Sequence, residues 1–204
     1  MQSLSERSPL GMTQYREESP GVISIQIYQP SECKMIVDEL KNLTGWTPAT
    51  VRDAKDADNY EVLTRRDIRS SRTLVSRDTQ KFYQDFDRRM NAALKPLVTQ
   101  RWEVDLAKHS GTHLLRYGPA DYYVPHRDTG PGFEDRYFSV VCYLNDDFQG
   151  GQTSFPEFSY SVTPESGKAI VFPSQYLHGS EPVTSGEKFV FVSWINGPTA
   201  VRWI

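Results

Sequence analysis

A mainly β fold with N-terminal helices, in which an antiparallel sandwich or barrel carries the helices on one sheet, is predicted from three observations. From about residue 101 onward, short runs rich in β-branched and aromatic residues are separated by Gly, Pro, Asp and Asn. Before that point, two segments repeat apolar residues at helical spacing. The chain has 204 residues, 38% hydrophobic and 12% aromatic, which is enough for one core and no sign of a disordered composition.

The first twenty residues, MQSLSERSPLGMTQYREESP, are polar, lack the apolar centre of a secretory signal and are expected to form a frayed tail. VISIQIY (22–28) reads as a strand. Pro30-Ser31 then opens a helix with Ser31 as its N-cap and Met35, Ile36, Leu40 and Leu43 as its apolar stripe. Residues 47–77 are charged and aperiodic, including the run TRRDIRSSR (64–72), and are expected to be exposed or partly ordered. A second helix is expected from Thr79 to about Leu94, where Phe82, Phe86 and Met90 recur every four residues and Tyr83 and Leu94 extend the stripe. Pro96 marks its end or a kink. The strands follow as THLLRY (112–117), DYYVPH (121–126), RYFSVVCYL (136–144), QTSF (152–155), FSYSVT (158–163), KAIVFP (168–173) and KFVFVSWI (188–195). No linker interrupts this pattern, so the expectation is one domain over 1–204, with a tail at 1–20, a helical and substrate-side part at 21–100 and a β core at 101–204.

Lys and Arg total 23 against 26 Asp and Glu, with a pI near 5.8, so there is no global positive field and no nucleic-acid partner is expected. The apolar stretches are too short to span a bilayer, and a cytoplasmic protein without a membrane partner is expected. Cys33 and Cys142 read as reduced, buried thiols rather than a disulfide.

The chemistry concentrates around four histidines. In YGPADYYVPHRD (117–128), strand alternation turns His126 and Asp128 to one side and Arg127 to the other. His178 follows KAIVFP, where a later strand of the same barrel can return it to that face. Two imidazoles and a carboxylate on one face of an octahedral ion suit non-haem Fe(II) and leave three positions for other ligands. Lys188 opens the last apolar strand ten residues later, a fixed cation for a carboxylate-bearing cosubstrate. His109 and His113 have helical zinc-pair spacing, but Gly111 and the β run that follows assign them to structure. Trp194 reads as core.

These segments, RYGPADYYVPHRD, SVVCYLND (139–146), GGQTSFPE (150–157), GKAIVFPSQYLHGSEPV (167–183) and EKFVFVSWI (187–195), resemble in order and spacing the Fe(II)/2-oxoglutarate-dependent dioxygenases, in their prolyl 4-hydroxylase-like branch. The resemblance implies a double-stranded β-helix (jelly-roll, cupin-like) core. It implies iron held by His126, Asp128 and His178, and 2-oxoglutarate paired through Lys188 with softer contacts from Tyr117 and Tyr143. Gly150-Gly151 would make the turn that brings the chain close to this site. The implied reaction consumes O2 and 2-oxoglutarate, releases succinate and CO2, and hydroxylates an unactivated C–H. An intact carboxylate ligand favours hydroxylation over the halogenation seen in relatives that lack it, with desaturation or cyclisation as variants. In such enzymes the segment before the second helix tends to approach the substrate, making Arg69 or Arg72 candidate contacts. With no recognisable peptide-binding module, the expected substrate is a small molecule such as an amino acid or natural-product intermediate. The alternative is a prolyl residue in a peptide, which predicts an open groove with loops at 50–77 and 129–135 beside it. A non-catalytic ligand-binding barrel is a third reading, disfavoured by the intact triad and Lys188.

Overall fold

The computed structural model describes residues 14–54, 60–106 and 108–197. Its first half runs β1 (Arg16–Ser19), β2 (Val22–Gln26), α1 (Pro30–Asn42), β3 (Thr47–Pro48), β4 (Val51–Ala54), β5 (Tyr60–Leu63), β6 (Arg72–Thr73), α2 (Gln80–Arg89) and α3 (Lys95–Trp102). The second half is almost entirely strands: β7 (Lys108–Tyr117), β8 (Tyr123–His126), β9 (Arg136–Tyr143), β10 (Gln149–Gly150), β11 (Thr153–Phe155), β12 (Tyr160–Val162), β13 (Lys168–Pro173), β14 (His178–Ser180), β15 (Val183–Ser185) and β16 (Lys188–Asn196).

An eight-stranded sheet, in the order β1-β2-β13-β9-β16-β7-β6-β3, packs against a four-stranded sheet, β12-β11-β14-β8. The long central strands are buried on both faces, so each contributes to two cores. On β9, β13 and β16, Phe138, Val140, Cys142, Ala169, Val171, Phe189 and Phe191 face the helices. Their neighbours Val141, Tyr143, Ile170, Phe172 and Val190 face the smaller sheet, as a side-chain period of two requires. Two antiparallel sheets closed on this inner layer form the double-stranded β-helix that the resemblance implies. On the helical side, Phe86 of α2 stacks on Phe191 at 4.7 Å, a contact worth roughly 0.5–1.5 kcal/mol beyond its buried area.

Several local expectations are corrected. Residues 16–19, assigned to the tail, pair with β2, and residues 1–13 lie outside the described residues. The cap of α1 is Gln29, not Ser31: Pro30 occupies the first turn, where its missing N–H costs nothing, and the Gln29 N–H donates to Glu32 Oε2 at 2.7 Å. The buried stripe is Cys33, Ile36, Val37 and Leu40, while Met35 is 67% exposed. The second helix does not stop at Pro96. A π-helical turn at Met90–Leu94 widens the backbone and Pro96 sits in the first turn of α3, so the helix continues to Trp102 without a donor where none is needed. Part of 47–77, expected to be poorly ordered, forms the β4–β5 hairpin and the short edge pair of β3 with β6. Cys33 and Cys142 are buried and unpaired, as expected. Among the described residues no helix is long and apolar enough to cross a membrane.

Candidate active site

β8 and β14 run antiparallel with His126 and His178 directly opposite each other. Their close approach depends on Gly179, where a side chain's first carbon would lie 2.8 Å from the Tyr123 carbonyl oxygen. Asp128 lies two residues beyond β8 and is fixed by its own N–H, which donates to the Ser174 carbonyl at 2.9 Å. The Asp128 carboxylate then stands between the rings, Oδ1 3.3 Å from His126 Nε2 and Oδ2 3.3 Å from His178 Nε2. These ligand atoms all lie within 4.8 Å of one another.

The far sides of these three side chains are also held. His126 Nδ1 meets the Val124 carbonyl at 2.9 Å and His178 Nδ1 meets that of Tyr176 at 3.0 Å. A carbonyl only accepts, so Nδ1 carries the proton in each ring and the Nε2 lone pairs face the common centre. Ser139 Oγ donates to Asp128 Oδ2 at 2.6 Å, and Ser174 Oγ lies 2.9 Å behind it. Burial alone would push the Asp128 carboxyl up, but the neighbouring His178 and His126 hold it well below its ordinary range. Two imidazole lone pairs and an ionised carboxylate on one side of an open cavity are the donor set and geometry that suit Fe(II).

Lys188 shares the inward parity of Val190 on β16 and is only 1% exposed. Its ammonium donates to the Gly151 carbonyl at 2.6 Å and to Ser180 Oγ at 2.9 Å. It lies 4.7 Å from the centre of the Tyr117 ring and 5.6 Å from that of Tyr143. Burial pushes its pKa down to about 7. Gly150 and Gly151, at φ of +72° and +67°, make the expected turn, and they bring the Gly151 carbonyl within reach of this lysine. Tyr117 lines the cavity. The Tyr143 hydroxyl is already used, donating to Thr153 Oγ1 at 2.6 Å.

The triad and Lys188 open into a cavity of about 460 Å³. Arg69 reaches it, resting over the Tyr123 ring with its Nε donating to Ser71 Oγ at 2.9 Å. Arg72 does not line it: it is an exposed residue on β6, paired in register with Arg116. The Arg127 guanidinium turns outward to Glu157 at 2.7 Å, as alternation predicts. His109 pairs with Asp87 at 3.2 Å, far from the triad in role.

His113 and Trp194, read from the sequence as structure and core, both line the cavity, and their rings meet edge to face at 5.4 Å. The parity of His113 with Leu115 and Tyr117 was the available signal. His113 is open to the cavity yet surrounded by protein, so desolvation, then the charges of Arg69 and Arg136, push its pKa down to about 4. Arg52, Phe133 and Arg136 were missed altogether, as were the serines behind the triad.

With this geometry in place, residues 112–196 match the 2OG-Fe(II) oxygenase superfamily. That stretch is less than half of the chain, and over it the chain is similar to that superfamily. The chain is prolyl 4-hydroxylase-like, and Fe(II), 2-oxoglutarate and O2 are the cofactors that the matched family uses. A putative prolyl 4-hydroxylase of Acanthamoeba polyphaga mimivirus is 28% identical over 128 residues, covering 51% of this chain and 53% of the relative. A probable prolyl 4-hydroxylase 9 of Arabidopsis thaliana is 28% identical over 231 residues, covering 92% and 76%. The chain thus spans about half the length of the first relative and three-quarters of the second. A prolyl hydroxylase from Trichoplax adhaerens, solved with a hypoxia inducible factor oxygen degradation domain peptide fragment, superposes with a TM-score of 0.67 at 14% identity, covering 87% of this chain and 84% of the other.

Proposed function

We propose that this protein is an Fe(II)- and 2-oxoglutarate-dependent hydroxylase acting on a prolyl residue of a peptide. The observation that carries the reaction class is the convergence of His126, Asp128, His178 and buried Lys188 on one cavity. His126, Asp128 and His178 would hold the iron, and Lys188 the distal carboxylate of 2-oxoglutarate. Held by these residues, iron and 2-oxoglutarate would supply the O2 activation that oxidises a substrate C–H bond to an alcohol, with 2-oxoglutarate leaving as succinate and CO2.

The chain's own contribution is to fix the donors, exclude water and orient the substrate. Tyr123 stacks on His126 at 3.7 Å and Phe172 packs edge to face on His178 at 4.6 Å, leaving the rings little freedom and no water on those faces. Ser139 keeps Asp128 turned to the centre, and the hydrogen bonds on Nδ1 keep both imidazoles in the ligating tautomer.

The peptide reading is supported by the open cavity, lined by residues 50–52, Val62, residues 129–131 and Phe133, and by the names of the relatives. A second reading, oxidation of a free amino acid or similar small molecule, is favoured by the cavity's size, within the roughly 300–1,000 Å³ of small-molecule sites. Incubation with Fe(II), 2-oxoglutarate and O2 separates them. Proline-containing peptides should gain one oxygen with stoichiometric succinate. Product from free amino acids, with peptides at background, would overturn the peptide reading, and no succinate with any substrate would overturn the hydroxylase and leave a non-catalytic barrel.

A further inference from the structure

Between Val192 and Trp194 the pairing of β16 with β7 slips. Val192 lies opposite His113 but Trp194 lies opposite Ser110, so β7 carries one extra residue there. Gly111 sits in this bulge at φ +46°, in the left-handed region that glycine enters without strain. A bulge bends its strand and re-aims the side chain beside it, and here that side chain is His113. The next two residues, Leu114 and Leu115, are buried, whereas His113 is exposed and lines the cavity with Val192 and Trp194. A side chain's first carbon at Gly111 would lie 3.9 Å from His113 Nε2, so glycine at this position keeps one neighbour off that nitrogen.

The imidazole is oriented, but its hydrogen bonds are not spent. Trp194 meets it edge to face at 5.4 Å. Among the described residues, neither ring nitrogen of His113 has a hydrogen-bond partner, and the indole N–H of Trp194, a residue 8% exposed, has none either. A buried indole N–H is ordinarily paired, so this end of the cavity carries two rings with hydrogen bonds still to make. Burial, then the charges of Arg69 and Arg136, push the His113 pKa down to about 4, which leaves a neutral ring with one N–H and one lone pair. Arg69, Arg136 and Lys188 on the same wall can only donate, and the hydroxyls of Thr153 and Ser180 are engaged with Tyr143 and Lys188. The cationic side chains therefore serve carbonyl oxygens of a substrate. The lone pair of His113 serves an N–H.

We propose that His113 is a specificity-determining residue that accepts a hydrogen bond from a backbone N–H of the peptide substrate. This rests on the peptide reading of the site. A prolyl residue has no N–H of its own, so the contact falls on the residue before or after it, and the bulge at Gly111 is the device that turns the imidazole to meet it.

The test is a double-mutant cycle in binding, run by calorimetry under anaerobic conditions on the chain loaded with Mn(II) and 2-oxoglutarate. The probes are a capped Ala-Pro-Ala peptide and two analogues in which an ester oxygen replaces the N–H of the residue before or after proline. The wild-type chain should bind the parent peptide about five- to tenfold more tightly than one of the two esters, and the position of that ester names the residue contacted. That ratio should fall to near one in His113→Phe, which keeps a ring against Trp194 but has no nitrogen, and in His113→Leu. A ratio that survives in either folded variant would leave His113 only packing on Trp194 and overturn the proposal. Equal binding of all three peptides by the wild-type chain, or binding of none, would also overturn it. Succinate formation from the same peptides with Fe(II) and O2 is scored separately. A ratio that collapses in the variants without any turnover removes the hydroxylase and leaves the peptide contact standing, whereas turnover with an unchanged ratio does the reverse.

Discussion

The inner and outer halves of the cavity are built on different principles. Inside, His126 and His178 face each other on the paired strands β8 and β14, and Lys188 opens β16 opposite Tyr117 of β7, so the backbone ladders fix these three side chains. Outside, Arg52, Arg69 and Phe133 come from a hairpin, an isolated bridge and a turn, held by aromatic stacking and single hydrogen bonds. The inner half is arranged for chemistry that tolerates little displacement. The outer half is arranged for recognition, where segments can adjust to what enters.

This contrast can be broken or sharpened by substitution, and the largest effect belongs to the inner half. Asp128→Ala should reduce iron-dependent succinate formation to background while circular dichroism stays native. A variant with full activity would remove the triad from the mechanism. Lys188→Ala should weaken 2-oxoglutarate binding by about 2–5 kcal/mol, because a buried carboxylate loses its charge partner. Calorimetry that finds the affinity unchanged would assign that contact elsewhere. Ser139→Ala leaves every ligand in place but frees one oxygen of Asp128, and should lower metal affinity by roughly 10–100-fold in a competition titration with a chelator; unchanged affinity would show that the strand geometry alone orients the carboxylate.

A smaller effect concerns pH. With the Lys188 pKa depressed by burial to about 7, the free protein holds this ammonium charged below neutrality and loses the proton above it. The carboxylate binds the charged form, so apparent 2-oxoglutarate affinity should be greatest below pH 7 and fall by up to about tenfold per unit above it. Lys188→Arg, charged throughout, should flatten that slope; an equally steep decline there would trace it to another group. The smallest effect belongs to Arg127, adjacent in sequence to the triad but turned to the surface. Arg127→Ala breaks an exposed ion pair with Glu157 and should change stability by less than about 1 kcal/mol. A large loss of metal binding would contradict the division of faces in this segment.

The same contrast explains what was legible in the sequence. A strand's period of two turns His126 and Asp128 one way and Arg127 the other, and it puts Lys188 on the inner face with Val190. These positions follow from counting. Arg136 does not, because the register between β9 and β16 shifts between Ile195 and Asn196, so alternation counted back from Val141 fails there. Arg52 was hidden for another reason: its hairpin carries no buried hydrophobic pattern of its own, and Val62 within it remains exposed. Gln29 displaced Ser31 as helix cap because Pro30 fits the first turn, and Pro96 was absorbed because a π-helical turn precedes it. His113 was legible by parity with Leu115 and Tyr117, but once Gly111 had excluded a helical zinc pair it was assigned with His109 to structure.

The central claim is that β8, β14 and β16 hold metal and cosubstrate as one site. Anaerobic equilibrium dialysis of labelled 2-oxoglutarate against the wild-type chain, with and without Fe(II), and against Asp128→Ala tests it most directly. The account predicts one 2-oxoglutarate bound per chain, far more tightly with Fe(II) than without it, and loss of that metal-dependent gain in Asp128→Ala. Equal 2-oxoglutarate binding with and without iron, or an undiminished iron-dependent gain in Asp128→Ala, would contradict it.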